Sequence, residues 1–527
     1  MSNGETNSAP FPVAFEKRRV WLGLFLIALS IRLVFVVVGL NNGTDAWARY
    51  QLSLLWLEHP SRLPSDIWLP LHFWLLGAAL KIWNSEWSVR LLTALLGALT
   101  VLPYAAVLRR VFEPRVAFYS SLLFALFGFH IAYSITTSSE VPTIFFLVVG
   151  IYCWLRFRDS GKWGWIFPAA LAFSAASLCR FEAWLFAPVL GFSLLDFSRG
   201  WASLWSNRSA WLRMLTFTLL ASAGSITWTI FSWMAWGDPL AFPHRTVMEN
   251  LQGLQVLRHS LIYRVAVVPG ALFVSLSPFI IALAVLGLVL VLLARQALPS
   301  SLACLGLALF GIHYYNCLRY EATMARYTLI YSWLFIPYAF EGLRRLSEKW
   351  RWVRETQAYL GVITFVMVWQ AGIVLGSYYG PPQIADRLAV ISPTLPLPYE
   401  VRALIAWLKP NIRPTDAVVV DEFHYEAGDI VRQSGLALSR VFQIPDHPDP
   451  SVMNDQLTDF VRRQHPRFLI CPPYGNLAKS WSINDPEEAI IARLGLRLHR
   501  EWKGQYWRVF TIQYSCDGTP LEAQSKR

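Results

Sequence analysis

The sequence predicts a polytopic α-helical membrane protein that ends in a small α/β domain, and three observations predict it. Of 527 residues, 55% are hydrophobic and only 15% charged, against roughly one quarter charged in an average soluble protein; mean hydropathy is +0.39. The chain carries 25 Trp, a side chain that favours the membrane–water boundary, with its ring buried and its N–H wet. Charge is unevenly placed: 29 Lys and Arg stand against 17 Asp and Glu before Gly380, and 17 against 17 from there on. The whole excess of +12 therefore sits among the apolar runs. It is scattered between them rather than gathered in a patch, which fits positive-inside topology and not a nucleic-acid partner. A disordered chain is excluded, and an ordinary soluble enzyme disfavoured.

Residues 1–16 read as a polar cytoplasmic tail rich in Pro and Ser. Lys17, Arg18 and Arg19 then precede the apolar run Val20–Leu40, about 20 residues and long enough to cross a bilayer. It lacks a small-residue cleavage signal, so it reads as a retained first span with a cytoplasmic N-terminus. Further spans are expected at Arg90–Leu108, Val116–Tyr133, Val141–Leu155, Trp165–Cys179, Ala183–Leu195, Met214–Trp236, Val267–Leu293, Leu302–Tyr314, Thr328–Phe340 and Tyr359–Ser377. Residues 17–378 thus hold about eleven transmembrane helices. The loops this count places inside carry Arg109, Arg110 and Arg115; Arg156, Arg158 and Lys162; Arg199, Arg208 and Arg213; Arg295; and Arg344, Arg345, Lys349, Arg351 and Arg354. Nearly every inside loop is basic, as the rule demands. An odd count places the C-terminal domain outside, on the periplasmic or lumenal face.

The stretch Pro70–Trp83 is apolar but short, and Lys81 interrupts its end. Treating it as a span would put the basic loops on the wrong side, so it reads as a helix at the outer interface. The first outer loop, residues 41–89, is then long, and long outer loops usually carry function.

After a Pro-rich linker, residues 379–398, the pattern alternates through residues 399–527. A helix (Tyr399–Leu408), a strand (Ala417–Val420), a helix (Tyr425–Ser434), a strand (Arg440–Ile444), a helix (Val452–Arg463) and a strand (Arg467–Cys471) are followed by a helix (Pro486–Leu494). Two final strands, Leu496–Trp502 and Gln505–Ile512, join at Lys503–Gly504. Short apolar strands alternating with helices argue a three-layer α/β domain. It has neither GxGxxG nor a phosphate loop, and reads as a lid or recognition domain. Of six cysteines none forms CxxC, so neither a disulfide framework nor a zinc site is indicated. Cys471 and Cys516 are a candidate pair in an oxidising compartment, which spacing alone does not decide.

Polar residues at the outer boundary are the candidates for chemistry. Asp45, in NNGTDAWARY, follows the first span; desolvation there favours a base, although Asp45 or Thr44 also suits a helix cap. Glu140, in ITTSSEVPT, lies in a short outer loop and equally fits the first turn of a helix. Arg180 and Glu182 (CRFEAW) break an apolar hairpin as an ion pair. Asp66 and His72 flank the start of the interfacial helix, and no second His stands at the spacing a zinc helix needs. Arg319 and Arg326 lie in YYNCLRYEATMARYTL; arginine matches phosphate through a planar fork of donors, and lipid headgroups would attract it too. Acids and arginines from distant outer loops suit a phosphate carried on a lipid, with the attached group attacked by a hydroxyl that needs a base.

The order of these features carries a resemblance. An Asp follows the first span; then come WLPLHFWLLGAALKIW and SEWSVRLLTALLGALTVLPYAAVLRRVF; then a third span ends in HIAYSITTSSE. The ordered set, strongest from Asn41 to Leu190, resembles the GT-C membrane glycosyltransferases, the group of dolichyl-phosphate-mannose protein mannosyltransferases and lipid A aminoarabinose transferases. The resemblance implies inverting transfer of a sugar from a polyprenyl-phosphate donor to a glycan, lipid or protein hydroxyl on the outer face. It implies no nucleotide donor at the site, and placement in a bacterial inner membrane with the C-terminal domain in the periplasm; no cofactor is expected, a divalent metal being the open alternative. It makes Asp45 the general base; the residues themselves add Arg326 with Arg319 as candidate phosphate ligands, and Glu140, Asp66, His72, Arg180 and Glu182 as candidate substrate-positioning groups. Two departures are notable. Ala46 stands where the protein mannosyltransferases have a second acid, and Leu69–Pro70 stands for the usual double Pro of the interfacial helix. Two other activities fit the same outline. A lipid-linked sugar flippase would need paired internal repeats, and the sequence has none. A metal-dependent oligosaccharyltransferase-like enzyme would need converging carboxylates, for which Asp45, Asp66 and Glu140 are available.

Overall fold

A computed structural model describes residues 18–39, 46–58, 60, 68–195, 207–241, 244, 261–294, 296–320, 325–349, 354–379, 381, 399–421, 430–431, 433–436, 438–444, 450–472, 497–504 and 507–514. The chain divides into two compact units. The first comprises Met1–Gly43, Arg49–Gly376 and Val390–Leu395; the second comprises Thr44–Ala48, Ser377–Ala389 and Pro396–Arg527.

The first unit is helical. Its helices are α1 (Arg18–Val38), the part of α2 (Ala46–Glu58) from Arg49 on, α3 (Pro70–Ile82), α4 (Glu86–Leu99), α5 (Val101–Val111), α6 (Pro114–Leu126), α7 (Gly128–Ser134), α8 (Glu140–Ser160), α9 (Ile166–Ser177) and α10 (Phe186–Phe192). They continue with α11 (Arg208–Ala221), α12 (Ala223–Trp236), α13 (Leu261–Leu276), α14 (Pro278–Leu293), α15 (Ala297–Tyr320), α16 (Leu329–Lys349) and α17 (Glu355–Tyr379). Among the described residues, five helical stretches are long and apolar enough to cross a membrane, and up to eight if each bent pair is one span. The bent pairs are α6–α7 at 47°, α11–α12 at 52° and α13–α14 at 102°. The remaining three expected spans take other forms. Trp165–Cys179 contains α9, 12 residues long, or about 18 Å. Ala183–Leu195 falls on a short 3-10 turn and α10, and Thr328–Phe340 is the apolar half of α16, whose other half is charged. Pro70–Ile82 is a 13-residue helix, started by Pro at its first position; at about 20 Å it is too short to span.

In hydrocarbon every backbone group freed by a break or a proline needs a partner inside the protein. Here side chains of other helices supply them. Pro337 leaves the Trp333 carbonyl without its helical N–H, and the Tyr104 hydroxyl donates to it at 2.8 Å. Pro269 does the same to Val265, where the Tyr314 hydroxyl donates at 3.2 Å. At the α6–α7 break, buried Arg32 of α1 donates to the Ala125 carbonyl at 3.2 Å and lies 2.8 Å from His130 Nδ1. Arg90 donates to the Gly39 and Ile135 carbonyls, both at 2.9 Å, closing the ends of α1 and α7. Tight packing of α14 on α16 rests on Gly287, where a Cβ would collide with the Tyr338 carbonyl.

Helix ends sort as the charge pattern predicts. At one end Arg109 lies over Trp21, Arg110 pairs with Asp159 at 3.7 Å, Arg115 with Glu355 at 2.7 Å, and Arg156 lies over Trp165. The other end gathers Gly39, Arg90 and Ile135, and the Leu71 N–H donating to the Leu178 carbonyl at 3.1 Å.

The second unit contains a mixed five-stranded sheet: β1 (Val418–Asp421), β2 (Val441–Ile444), β3 (Phe468–Cys471), β4 (Arg497–Lys503) and β5 (Arg508–Gln513), in spatial order β2-β1-β3-β5-β4. β1 pairs parallel with β2 and β3; β5 pairs antiparallel with β3 and β4. Alternation along β1 separates two cores. Val418 and Val420 pack with Leu404 and Leu408 of α18 (Tyr399–Asn411), while Val419 packs with Leu457 and Val461 of α19 (Pro450–Gln464). Helices thus cover both faces, giving three layers. The expected helix Pro486–Leu494, most of Tyr425–Ser434, and Cys516 lie outside the described residues.

Candidate active site

Glu140 opens α8, so the helix N-terminus favours its carboxylate. The turn before it is stitched by small hydroxyls: Thr136 and Ser138 lie 2.7 Å apart, and Thr143 donates to the Ser139 carbonyl. This turn holds Glu140 with its side chain 2% exposed.

Arg180 reaches it from the extended residue after α9. Its Nη1 donates to Glu140 Oε1 at 2.7 Å and to Ser139 Oγ at 3.3 Å; its Nη2 and Nε donate to Glu182 at 2.6 and 3.2 Å. Burial alone would discharge both Arg180 and Glu182. Their mutual attraction overrides it, raising the guanidinium further above its ordinary value and holding the Glu182 carboxyl below its own. Arg326 arrives from a third direction, on the 3-10 turn Ala325–Thr328 that leads into α16. Its side chain is buried, and its Nε lies 3.9 Å from the same Glu140 oxygen. The Tyr327 ring lies near both guanidiniums, at 5.5 Å from Arg180 and 5.2 Å from Arg326.

A second group adjoins Arg180. His72, fully buried on α3, lies 3.3 Å through Nδ1 from Arg49 of α2, whose guanidinium stacks on Trp68 at 4.2 Å. Arginine only donates, so Nδ1 accepts and the proton of the neutral ring sits on Nε2. Burial first, then the Arg49 and Arg180 charges, hold His72 well below the ordinary imidazole value. Its Nε2 has no hydrogen-bond partner among the described residues.

The structure therefore brings Glu140, Arg180, Glu182 and Arg326 together, with His72 beside them. Arg319 is exposed on the last turn of α15. Asp45 and Asp66 lie outside the described residues. Two residues of the cluster escaped the sequence reading. His313 of α15 bonds the Tyr331 hydroxyl at 2.8 Å and meets the Tyr327 ring edge-on at 5.8 Å; a histidine inside an apolar run was the available signal. Arg49 was visible as the cation of an otherwise apolar helix start. Two arginines on one carboxylate, with Glu182 and Arg49 adjacent, leave a net positive charge among these residues, which suits an anion presenting several oxygens. No group of three or more potential metal ligands occurs among the described residues. A cavity of about 530 Å³ lies at the opposite end, lined by Glu113, Arg158, Glu341 and Arg344 among others, and is separate from this cluster.

Residues 58–228 match the family model for dolichyl-phosphate-mannose-protein mannosyltransferase. Among solved structures, ArnT from Cupriavidus metallidurans in the apo state is similar, with 13% identity and a TM-score of 0.51, over 93% of this chain and 97% of that one. The Archaeoglobus fulgidus oligosaccharyltransferase is similar with 13% identity and a TM-score of 0.47, over 96% of this chain and 75% of that one. No curated protein sequence matches the chain. The family model and the shared fold bear out the resemblance to membrane glycosyltransferases read from the residues.

Proposed function

We propose that the chain transfers a sugar from a polyprenyl-phosphate carrier to an acceptor hydroxyl at the outer face of a bacterial inner membrane, with inversion. The observation that carries this reading is the convergence of Arg180 and Arg326 on Glu140, at 2.7 and 3.9 Å. Two buried, permanently charged forks at one end of a membrane-helix unit match a lipid phosphate better than a neutral headgroup. The family model and the ArnT-like fold support the same class.

In this mechanism Asp45 takes the proton of the acceptor hydroxyl. The acceptor oxygen forms its bond to the anomeric carbon from the face opposite the phosphate, and the carbon–oxygen bond to the phosphate breaks. The departing phosphate oxygen keeps the electron pair, and Arg326, with Arg319 nearby in sequence, offsets the charge that develops there. A phosphate is already a weak base, so the leaving group needs no general acid. Arg180 fixes Glu140 and Glu182, which accept hydrogen bonds from sugar or acceptor hydroxyls. His72 offers its Nε2–H as a neutral donor, and Asp66, six residues before it in the sequence, is a further substrate-positioning group.

The test uses the purified full chain in lipid nanodiscs, with a panel of polyprenyl-phosphate hexoses and pentoses. Asp45→Asn is expected to lower transfer by about a hundredfold or more, while undecaprenyl phosphate still binds. Arg326→Ala is expected to weaken that binding about tenfold. Transfer retained by Asp45→Asn removes it as the base; unchanged affinity in Arg326→Ala removes Arg326 from the site.

A further inference from the structure

Glu140 and Arg326 meet at 3.9 Å, and each is tied to a helix break. α7 begins at the α6–α7 break and runs into the turn that delivers Glu140. The turn carrying Arg326 ends at Thr328, whose Oγ1 donates to Ser275 Oγ at 3.3 Å, two residues before the α13–α14 break.

One side chain joins the two breaks. Gln370 of α17 donates from Nε2 to the Ser275 carbonyl at 2.9 Å and accepts the Gly128 N–H on Oε1 at 2.7 Å. The carbonyl and N–H are among the groups that helix ends leave without an intrahelical partner. Gln370, Ser275 and Thr328 are all buried. Position 128 admits only glycine without a shift, because a Cβ there would lie 2.5 Å from Gln370 Oε1. A closed ring results: Arg326, Thr328, Ser275, Gln370, Gly128, α7, Glu140, and back to Arg326.

We infer that Gln370 is a positioning residue for the lipid-phosphate site, setting the Arg326–Glu140 separation through the two helix breaks; this rests on the reading of Arg326 as a donor-phosphate ligand. At 3.9 Å the two groups attract but are too far apart for a hydrogen bond. A phosphate oxygen then competes with the Glu140 carboxylate for the Arg326 guanidinium. Without the amide, the buried Ser275 carbonyl and the part-buried Gly128 N–H lose this partner, and the helices shift to relieve them. Either direction of shift weakens phosphate binding. Closer approach lets Glu140 occupy the fork, and separation moves the fork away.

Affinity for undecaprenyl phosphate, with undecaprenol as the neutral control, is measured on the full chain in nanodiscs alongside the thermal midpoint. Gln370→Leu and Thr328→Val are each expected to weaken undecaprenyl phosphate about tenfold, about 1.4 kcal/mol, with undecaprenol unaffected. The double variant is expected to bind about as weakly as either single one, because both cut the same ring. Thr328→Ser, which restores the hydroxyl, is expected to bind within about twofold of the parent. Should Gln370→Leu fail to fold, the Thr328 pair decides. A lowered midpoint with unchanged affinity, losses that multiply in the double variant, or a Thr328→Ser as weak as Thr328→Val each overturn the role. Arg326→Ala separates the two claims. If it leaves affinity unchanged, the site reading fails; if it weakens binding while Thr328→Val and Gln370→Leu do not, only the positioning role fails.

Discussion

Arg180 shows how much one side chain decides at this site. Its Nη1 holds Glu140 and Ser139 while Nη2 and Nε hold Glu182, an arrangement lysine cannot reproduce from a single ammonium. Two carboxylates are held by the one arginine between them, which orients both and keeps the Glu182 carboxyl below its ordinary value. His72 is the pH-sensitive residue beside it. Its ordinary value is about 6.5, and burial with two neighbouring arginines holds it well below that in the fold. The unfolded chain therefore binds a proton there in a window where the folded chain does not. Stability is level above about pH 6.5 and falls as pH drops through the window below it. Gln keeps an acceptor toward Arg49 and cannot titrate, so His72→Gln is expected to lose less thermal stability between about pH 7.5 and pH 5.5. Equal losses in both proteins, measured by thermal unfolding in detergent, would remove His72 as the source.

At the scale of elements, interruptions matter more than helices. Pro337, Pro269 and the breaks at residues 127 and 277 each free backbone groups, and Tyr104, Tyr314, Arg32 and Gln370 satisfy them from other helices. Trp369 adds its indole N–H to the Phe273 and Val274 carbonyls at 3.1 and 3.3 Å, so α17 caps the end of α13 along its length. The same helix-to-helix intimacy explains Gly287, set against the backbone of α16. Gly287→Val is expected to destabilise by about 1–3 kcal/mol, the usual range for overpacking a tight interface, read as a lower thermal midpoint. Gly361, on α17 with nothing within reach of a Cβ, is the control, and Gly361→Ala should leave the midpoint unchanged or raise it. Equal sensitivity at both positions would contradict close α14–α16 packing.

For the whole molecule, the helix ends place the basic loops at one end and the Glu140–Arg326 cluster at the other, which makes orientation testable. In a cysteine-free background, a membrane-impermeant maleimide is expected to label Asn84→Cys in intact cells and Lys162→Cys only after permeabilisation, both positions being exposed. The reverse pattern would turn the protein over and move the site to the cytoplasm. Much of this was legible in the sequence. Apolar length and flanking charge marked α1, α8 and α17, and period-two alternation marked β1 and β3, because these depend on a residue and its near neighbours. Glu140, Arg180 and Arg326 were legible as isolated charges at apolar boundaries, but their meeting was not. Nor was the Gln370 bridge, whose partner at Gly128 lies 242 residues away. The breaks at 127 and 277 were read as continuous spans, since local hydrophobicity is the same on either side of a bend and only the partners from other helices reveal it. By itself the sequence determined that the chain seeks a membrane, where its basic residues gather along the chain and which polar residues stand at the boundaries of apolar runs, all consequences of transfer free energy summed along the chain. The tertiary structure alone decided which of those residues meet, because contact between groups remote in sequence depends on where helices bend and which side chain closes each bend.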